Sequence, residues 1–481
     1  MLFNSLFFLF VFFPIVGGFY YLLPHKFRWA WLLLASCYFY MSFIPGYILI
    51  LAITITIDYF AAIFIGRSKG HSKRFLLILS ILANIGMLFI FKYFNFFNTN
   101  IISLAEFFHW NYSIENLKLI LPIGLSFHTF QSLSYIIEVY RGRQKVERHF
   151  GIFAVYVLFF PQLVAGPIER PQNLLHQFYE KHYFRLEQFM SGMRLIIWGL
   201  FKKVVIADRA SVFVDQIFNN VNDFTGPYFA LATFLFAFQI YCDFSGYSDM
   251  ARGIARTLGF ELMVNFRSPY FSRSISEFWT RWHISLSTWF RDYVYVPLGG
   301  NRVSSFRWTY NLFIVFLLSG IWHGANWTYV VWGAMNGFYL IFSIWTKKIR
   351  SKIAGILKLK HTFLEKALQL IVTFLLIEAS WIFFRAQSLG DAWYILKQIF
   401  IEGYKITSLQ PFIQRYNYSI GIIFAAIILL ILVDYFIAED KRAKKLQKIS
   451  MPLQVFAYSF LVFIIILLGQ FSNEHFIYFQ F

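Results

Sequence analysis

Along this chain, long and almost unbroken apolar runs alternate with short polar loops. A helix that crosses a bilayer needs roughly 20 mostly apolar residues. Runs of about that length fall at 2–23, 27–43, 47–65, 75–97, 120–140 and 150–167, and then at 189–207, 227–244, 310–322, 327–344, 364–384, 420–437 and 453–471. Several are short or interrupted. The pattern therefore predicts an all-α fold, a polytopic transmembrane helical bundle of roughly 11 spans plus re-entrant helices. No repeat of fixed period, low-complexity segment or soluble linker interrupts it, so residues 1–481 are expected to form a single membrane domain.

The loops carry a second pattern. Lys26 and Arg28 follow the first run, Arg67, Lys69, Lys73 and Arg74 the third, and Arg141, Arg143, Lys145 and Arg148 the fifth. The alternate loops, near Pro45 and at 98–117, are poor in Lys and Arg. Basic loops stay in the cytoplasm, which puts the N-terminus outside. The basic stretches Lys347–Lys360 and Lys441–Lys448 are expected on the cytoplasmic side and the C-terminus (476–481) outside.

Between about Ser245 and Ser305 the apolar pattern fails. The stretch is polar and aromatic together, and Asp243, Asp249, Glu277, Arg281, His283, Arg291, Asp292, Asn301 and Arg302 lie in it or just before it. Polar or non-helical backbone at membrane depth persists only when it is buried in protein or lines a wet cavity. Short re-entrant or interfacial helices around a central cavity are expected here.

Composition agrees with a membrane protein. The chain is 58% hydrophobic and 22% aromatic, with 63 Phe, and only 14% charged. Soluble domains carry about 25% charged residues. The net charge of +19 arises in clusters between apolar runs, as basic loops require, and does not indicate nucleic acid. Cys37 and Cys242 are isolated in apolar surroundings, so neither a disulfide framework nor a zinc site is expected. The first run lacks a basic leader and a small-residue cleavage site, and reads as a retained helix.

Two histidines stand out. His323 ends an apolar run in Ser-Gly-Ile-Trp-His-Gly-Ala-Asn-Trp, where an ionisable group is costly and by default marks a site. A neutral imidazole is a natural general base, and Gly320 and Gly324 would let a backbone or a thin substrate chain approach it. A histidine hydrogen-bonded between helices is the plainer alternative. His283 lies in Glu-Phe-Trp-Thr-Arg-Trp-His-Ile-Ser-Leu-Ser, where one continuous helix would put Trp279, His283 and Ser287 on one face. Arg281 and Arg291 beside it would suit phosphates or anionic lipid heads; an interfacial Trp-rich helix explains the same pattern. Asp243, Ser245, Tyr247 and Asp249 sit close together in Asp-Phe-Ser-Gly-Tyr-Ser-Asp-Met-Ala, as an orienting pair of carboxylates or as packing and capping. His128 lies within a run, where it could touch the cavity, and a structural role is the plainer reading. No P-loop, GxGxxG, EF-hand loop or GxSxG elbow is present.

These segments carry a resemblance. Leu-Pro-Ile-Gly-Leu-Ser-Phe-His-Thr-Phe-Gln (121–131), Phe-Pro-Gln-Leu-Val-Ala-Gly-Pro-Ile (160–168), Gly-Leu-Phe-Lys-Lys-Val-Val-Ile-Ala-Asp (199–208) and the 243–251 segment resemble the membrane-bound O-acyltransferase (MBOAT) family. So do the 281–293 segment, Pro-Leu-Gly-Gly-Asn-Arg (297–302), the 319–327 segment and the terminal Phe-Ile-Tyr-Phe-Gln-Phe. Within the family the chain is most similar to the branch that O-acetylates bacterial polysaccharides. The resemblance implies a helical bundle around a funnel or tunnel, with the family's hallmark histidine at His323 and a second motif histidine at His283. Position 128 is His where the family motif more often has an aromatic residue.

The resemblance further implies an acyltransferase of the bacterial cell inner membrane, with no bound cofactor or metal and with acetyl-CoA or an acyl carrier as donor. The acceptor would be a polysaccharide such as an alginate-like exopolysaccharide or peptidoglycan, and a periplasmic acyltransferase would be the partner. His323 would act as general base or carry a transient acyl group. His283, oriented by neighbours such as Asp292 or Glu277, would hold the thioester or assist proton movement. Asp243, Ser245, Tyr247, Asp249, Arg281, Asn301, Trp322 and Asn326 are the expected tunnel or orienting residues. Two rivals stand beside this reading: a transporter or flippase for a lipid-linked sugar, and a scaffold that recruits a periplasmic enzyme.

Overall fold

The computed structural model describes residues 1–438, 450–471 and 476–477. The basic stretch Lys441–Lys448, His475 and the terminal Tyr478–Phe481 lie outside the described residues. Among the described residues there is no strand. Among these residues, six helical runs are long and apolar enough to cross a membrane: Pro45–Arg67, Gly70–Phe107, Gly226–Thr257, Phe363–Arg385, Ile406–Ile437 and Met451–Leu468. The fold is all-α and polytopic, as the apolar pattern predicts.

The described chain divides into two compact units. The first takes Met1–Ile196 and Ser248–Met263. Its helices include His25–Met41, Ile48–Arg67, Leu125–Tyr140 and Phe150–Leu158. The expected span at 150–167 is interrupted: the helix stops at Leu158, and Phe159 turns out of helical geometry at ψ 109. The Phe160 amide then donates to the Ser36 hydroxyl at 3.1 Å, a partner from outside its own helix. Asp58, fully buried in this unit, accepts from Ser80 and Asn84 at 3.0 and 2.7 Å. His128 is 1% exposed and lies 3.4 Å from the Thr54 hydroxyl.

The second unit takes Ile197–Tyr247 and the described residues from Val264 onward. The Asp243–Ala251 segment does not open the run of short helices, because it lies inside one 32-residue helix, Gly226–Thr257. The short pieces begin only after Thr257. They are a 3-10 turn at Pro269–Phe271, two seven-residue helices at Ile275–Arg281 and Ile284–Phe290, and a π-turn at Arg291–Tyr295.

Beyond them the helices Ser305–His323 and Trp327–Trp345 pack closely against each other. Small residues permit the approach, as is common between membrane helices. A Cβ added at Gly320 would lie 2.3 Å from the Tyr329 carbonyl oxygen, and one at Gly333 would lie 2.5 Å from that of Phe316. Ser304 caps the first helix and Asn326 the second, each accepting a backbone amide. These caps satisfy amides that helix starts leave orphaned.

Candidate functional site

Trp279, His283 and Ser287 do not share one helical face, because the helix breaks between them. It ends at Arg281, restarts at Ile284, and leaves His283 in left-handed backbone at φ 43° and ψ 55°. Such geometry strains a residue with a side chain and must be held by its surroundings. Bonds from the preceding irregular segment do this. The Ile284 amide donates to the Asn265 carbonyl at 2.9 Å, and the Ser285 amide donates to the Asn265 side-chain oxygen at 3.1 Å. The Arg267 amide donates to the Arg281 carbonyl at 3.0 Å.

The break turns the His283 ring inward. It is 1% exposed, and the Phe244 ring meets it edge-on at 4.6 Å between centroids. Burial pushes its imidazole down to about 3, so the ring is neutral at physiological pH. His323, the last residue of the Ser305–His323 helix, is 4% exposed. Three aromatic rings meet it at steep angles: Trp322 at 4.9 Å, Trp332 at 5.0 Å and Phe384 at 5.3 Å. The Trp322 ring contacts both histidines, lying 6.1 Å from His283.

Both histidines line one cavity of about 440 Å³. This falls within the usual range for small-molecule sites. Trp279, Leu286, Phe290, Phe316 and Leu340 supply apolar wall, and Ser276, Thr280, Ser287, Thr288 and Ser319 supply hydroxyls. The cavity has depth. Ser276, Thr280 and Arg291 are exposed at its rim, whereas His283, His323 and Ser319 are buried at its floor. An apolar pocket with two imidazoles at its base can hold a neutral acyl chain, exclude water and move a proton at the reacting end.

The remaining expected residues separate. Asp243 accepts from Lys203 at 2.7 Å and from the Ile477 amide at 2.7 Å, and Lys203 also reaches Asp208 at 2.6 Å. All three charges are buried. Ser245 accepts from Lys202 at 2.9 Å, and Tyr247 is buried against Phe476 at 4.9 Å. Asp249 does not pair with Asp243; it belongs to the first unit, where it accepts from Arg252 at 3.2 Å.

Glu277 spends its two carboxylate oxygens on Arg281, at 2.7 Å, and on the Arg273 amide. Asp292 pairs with Arg291 at 2.8 Å. Asn301 is exposed in a turn, and Asn326 caps its helix while donating to the Gln387 carbonyl. Gly320 and Gly324 admit the neighbouring helix: the Tyr329 carbonyl and ring occupy the space their side chains would take.

Two groups of residues escaped sequence reasoning. Trp332, from the next helix, and Phe384, from the Phe363–Arg385 helix, complete the aromatic box around His323, and no motif marks them. Lys203 was legible in principle. A lysine pair inside an apolar run is itself a costly feature that calls for buried partners, and here it lies on a π-helical turn, Phe201–Ala207.

Comparison with known proteins bears on what such a cavity does. Residues 149–384 match the sequence model of the MBOAT, membrane-bound O-acyltransferase family. The probable alginate O-acetylase AlgI of Pseudomonas aeruginosa is 39% identical over 405 residues, which cover 84% of this chain and 75% of that protein. The peptidoglycan O-acetyltransferase of Helicobacter pylori is 35% identical over 458 residues, covering 87% of this chain and 84% of that protein. The teichoic acid D-alanyltransferase of Streptococcus thermophilus is 31% identical over 298 residues, covering 57% and 70% respectively.

Proposed function

The chain belongs to the membrane-bound O-acyltransferase family, and from that premise we propose that it takes an acetyl group from cytoplasmic acetyl-CoA and passes it across a bacterial inner membrane to a cell-surface or cell-wall polysaccharide. Membership makes it an acyltransferase. The acceptor class is suggested by its relatives, whose names specify alginate or peptidoglycan. The observation that carries the reading is the convergence of His283 and His323 on one largely apolar cavity.

In the proposed reaction the thioester end of the donor lies at the cavity floor. The aromatic box of Trp322, Trp332 and Phe384 holds the His323 ring plane. His323 accepts the proton of the acceptor hydroxyl as its oxygen attacks the thioester carbonyl. The carbon–sulfur bond breaks, an oxygen ester forms, and the thiolate leaves to take up a proton as free CoA. Neutral His283 has no charge to repel or attract the donor and supports the thioester by contact and hydrogen bonding. Fixing both reactants in a dry cavity contributes several kcal/mol through orientation. With a periplasmic acyltransferase as partner, the attacking hydroxyl belongs to that partner; a polysaccharide hydroxyl then attacks the partner's ester, forms the final ester and frees the partner's hydroxyl again.

The test is release of free CoA from acetyl-CoA by the purified protein in proteoliposomes, with and without the periplasmic partner. Wild type is expected to release CoA, and His323→Ala to lose roughly a hundred- to ten-thousandfold in rate. Absence of release under every condition, with the protein folded, would favour a conduit for lipid-linked sugar instead.

A further inference from the structure

Among the described residues the cavity has one permanently charged lining residue, and it stands at the rim. Arg291 is exposed, in contrast to the buried histidines of the floor. Its Nε donates to Asp292 at 2.8 Å, and its two terminal nitrogens have no described partner. Arg281, its neighbour in sequence and the other cation expected near phosphates, is differently placed. It does not line the cavity, and its guanidinium is held by Glu277 at 2.7 Å.

Resting on the acyl-CoA reading above, we propose that Arg291 is the anchor for the diphosphate of a CoA thioester, so that the cavity selects a free CoA thioester over a bare pantetheine thioester.

Three features support this. Arg291 and His283 lie at opposite ends of the Ile284–Phe290 helix, eight residues apart. At 1.5 Å per residue that is roughly 12 Å, a distance that an extended pantetheine arm covers between diphosphate and sulfur. A diphosphate bound at the rim therefore puts the thioester among the buried imidazoles. The walls between are apolar with scattered hydroxyls, which suits an uncharged pantetheine arm and not a second charged group. Finally, the Arg291–Asp292 pair lies near the surface, with an exposed Arg291 and a half-buried Asp292, and such pairs contribute little. Arg291 can take a diphosphate in bidentate fashion without losing a strong partner. A phospholipid headgroup shares this phosphate chemistry, so the experiment must separate the two sources.

Equilibrium binding of acetyl-CoA and of acetyl-pantetheine would be measured for the full chain in nanodiscs of zwitterionic lipid and, separately, in nanodiscs containing anionic lipid, with Arg291→Gln and the off-cavity control Arg307→Gln beside wild type. Loss of one charge-assisted contact is expected to raise Kd for acetyl-CoA roughly ten- to a hundredfold in Arg291→Gln. Acetyl-pantetheine is expected to bind weakly to wild type and to be unaffected by the substitution. Arg307→Gln should match wild type for both.

Unchanged acetyl-CoA affinity in Arg291→Gln would overturn the proposal, as would equal weakening of acetyl-pantetheine. An Arg291 effect confined to nanodiscs containing anionic lipid would also overturn it and assign the residue to a lipid phosphate. Failure of wild type to bind either thioester would instead overturn the acyl-CoA reading, and this inference with it.

Discussion

The contact between the Ser305–His323 and Trp327–Trp345 helices offers a sharp test of how His323 is positioned. In Gly320→Ala the new Cβ would lie 2.3 Å from the Tyr329 carbonyl oxygen and 3.1 Å from the Gly333 Cα. An ordinary contact begins near 3.4 Å, so the backbones must part by about 1 Å. Both obstacles are backbone atoms, which cannot swing aside as a flexible side chain would. Overpacking of this kind costs about 1–3 kcal/mol. Gly320 lies one helical turn before His323, so the displacement reaches the imidazole and its aromatic box. A misplacement of about 1 Å commonly costs on the order of a hundredfold in rate. Thermal unfolding in detergent and acetyl-transfer kinetics would be run together, at a temperature where the variant is fully folded. The control is Gly421→Ala, at a helical position where a Cβ meets nothing within 4 Å. There the substitution should leave the rate unchanged and add up to about 1 kcal/mol. A Gly320→Ala protein with wild-type kcat would refute the claim that close helix approach sets the catalytic geometry.

Lys203→Met would leave Asp208 and Asp243 buried without their shared cation. A loss of about 3–5 kcal/mol is expected in thermal unfolding, and adding Asp208→Asn should recover part of it. The His283 imidazole, held at about 3 in the fold against about 6.5 when unfolded, makes stability depend on acidity. Its contribution is complete above about pH 6.5 and falls as the pH drops below that, because only the unfolded chain then binds the proton. Between pH 6.5 and 5 this amounts to roughly 2 kcal/mol, and melting of His283→Asn against wild type should show a flatter acid limb. Asn326→Ala removes a helix cap and should cost about 1 kcal/mol, read as a lower Tm.

Much of this architecture was legible along the chain, and the exceptions share a cause. The all-α membrane character follows from the apolar runs, and His323 and His283 were visible as ionisable groups in apolar or aromatic settings. The break at His283 was not, because the Asn265 and Arg267 bonds that hold it come from a segment well before it in sequence. Asp243 and Asp249 looked like a pair because they are close in sequence, but six residues along one helix turn them to different faces. Local pattern predicts where helices form; distant partners decide where they break and which polar groups meet.

The central claim is that acetyl crosses through the histidine-floored cavity while its carrier stays behind. The most direct measurement uses acetyl-CoA labelled separately in the acetyl group and the adenine, presented on one side of proteoliposomes holding the full chain, with partner and acceptor on the other. The account predicts acetyl label in the acceptor, adenine label retained on the donor side, and loss of transfer in His323→Ala. Adenine label crossing together with acetyl, or wild-type transfer by His323→Ala, would contradict it.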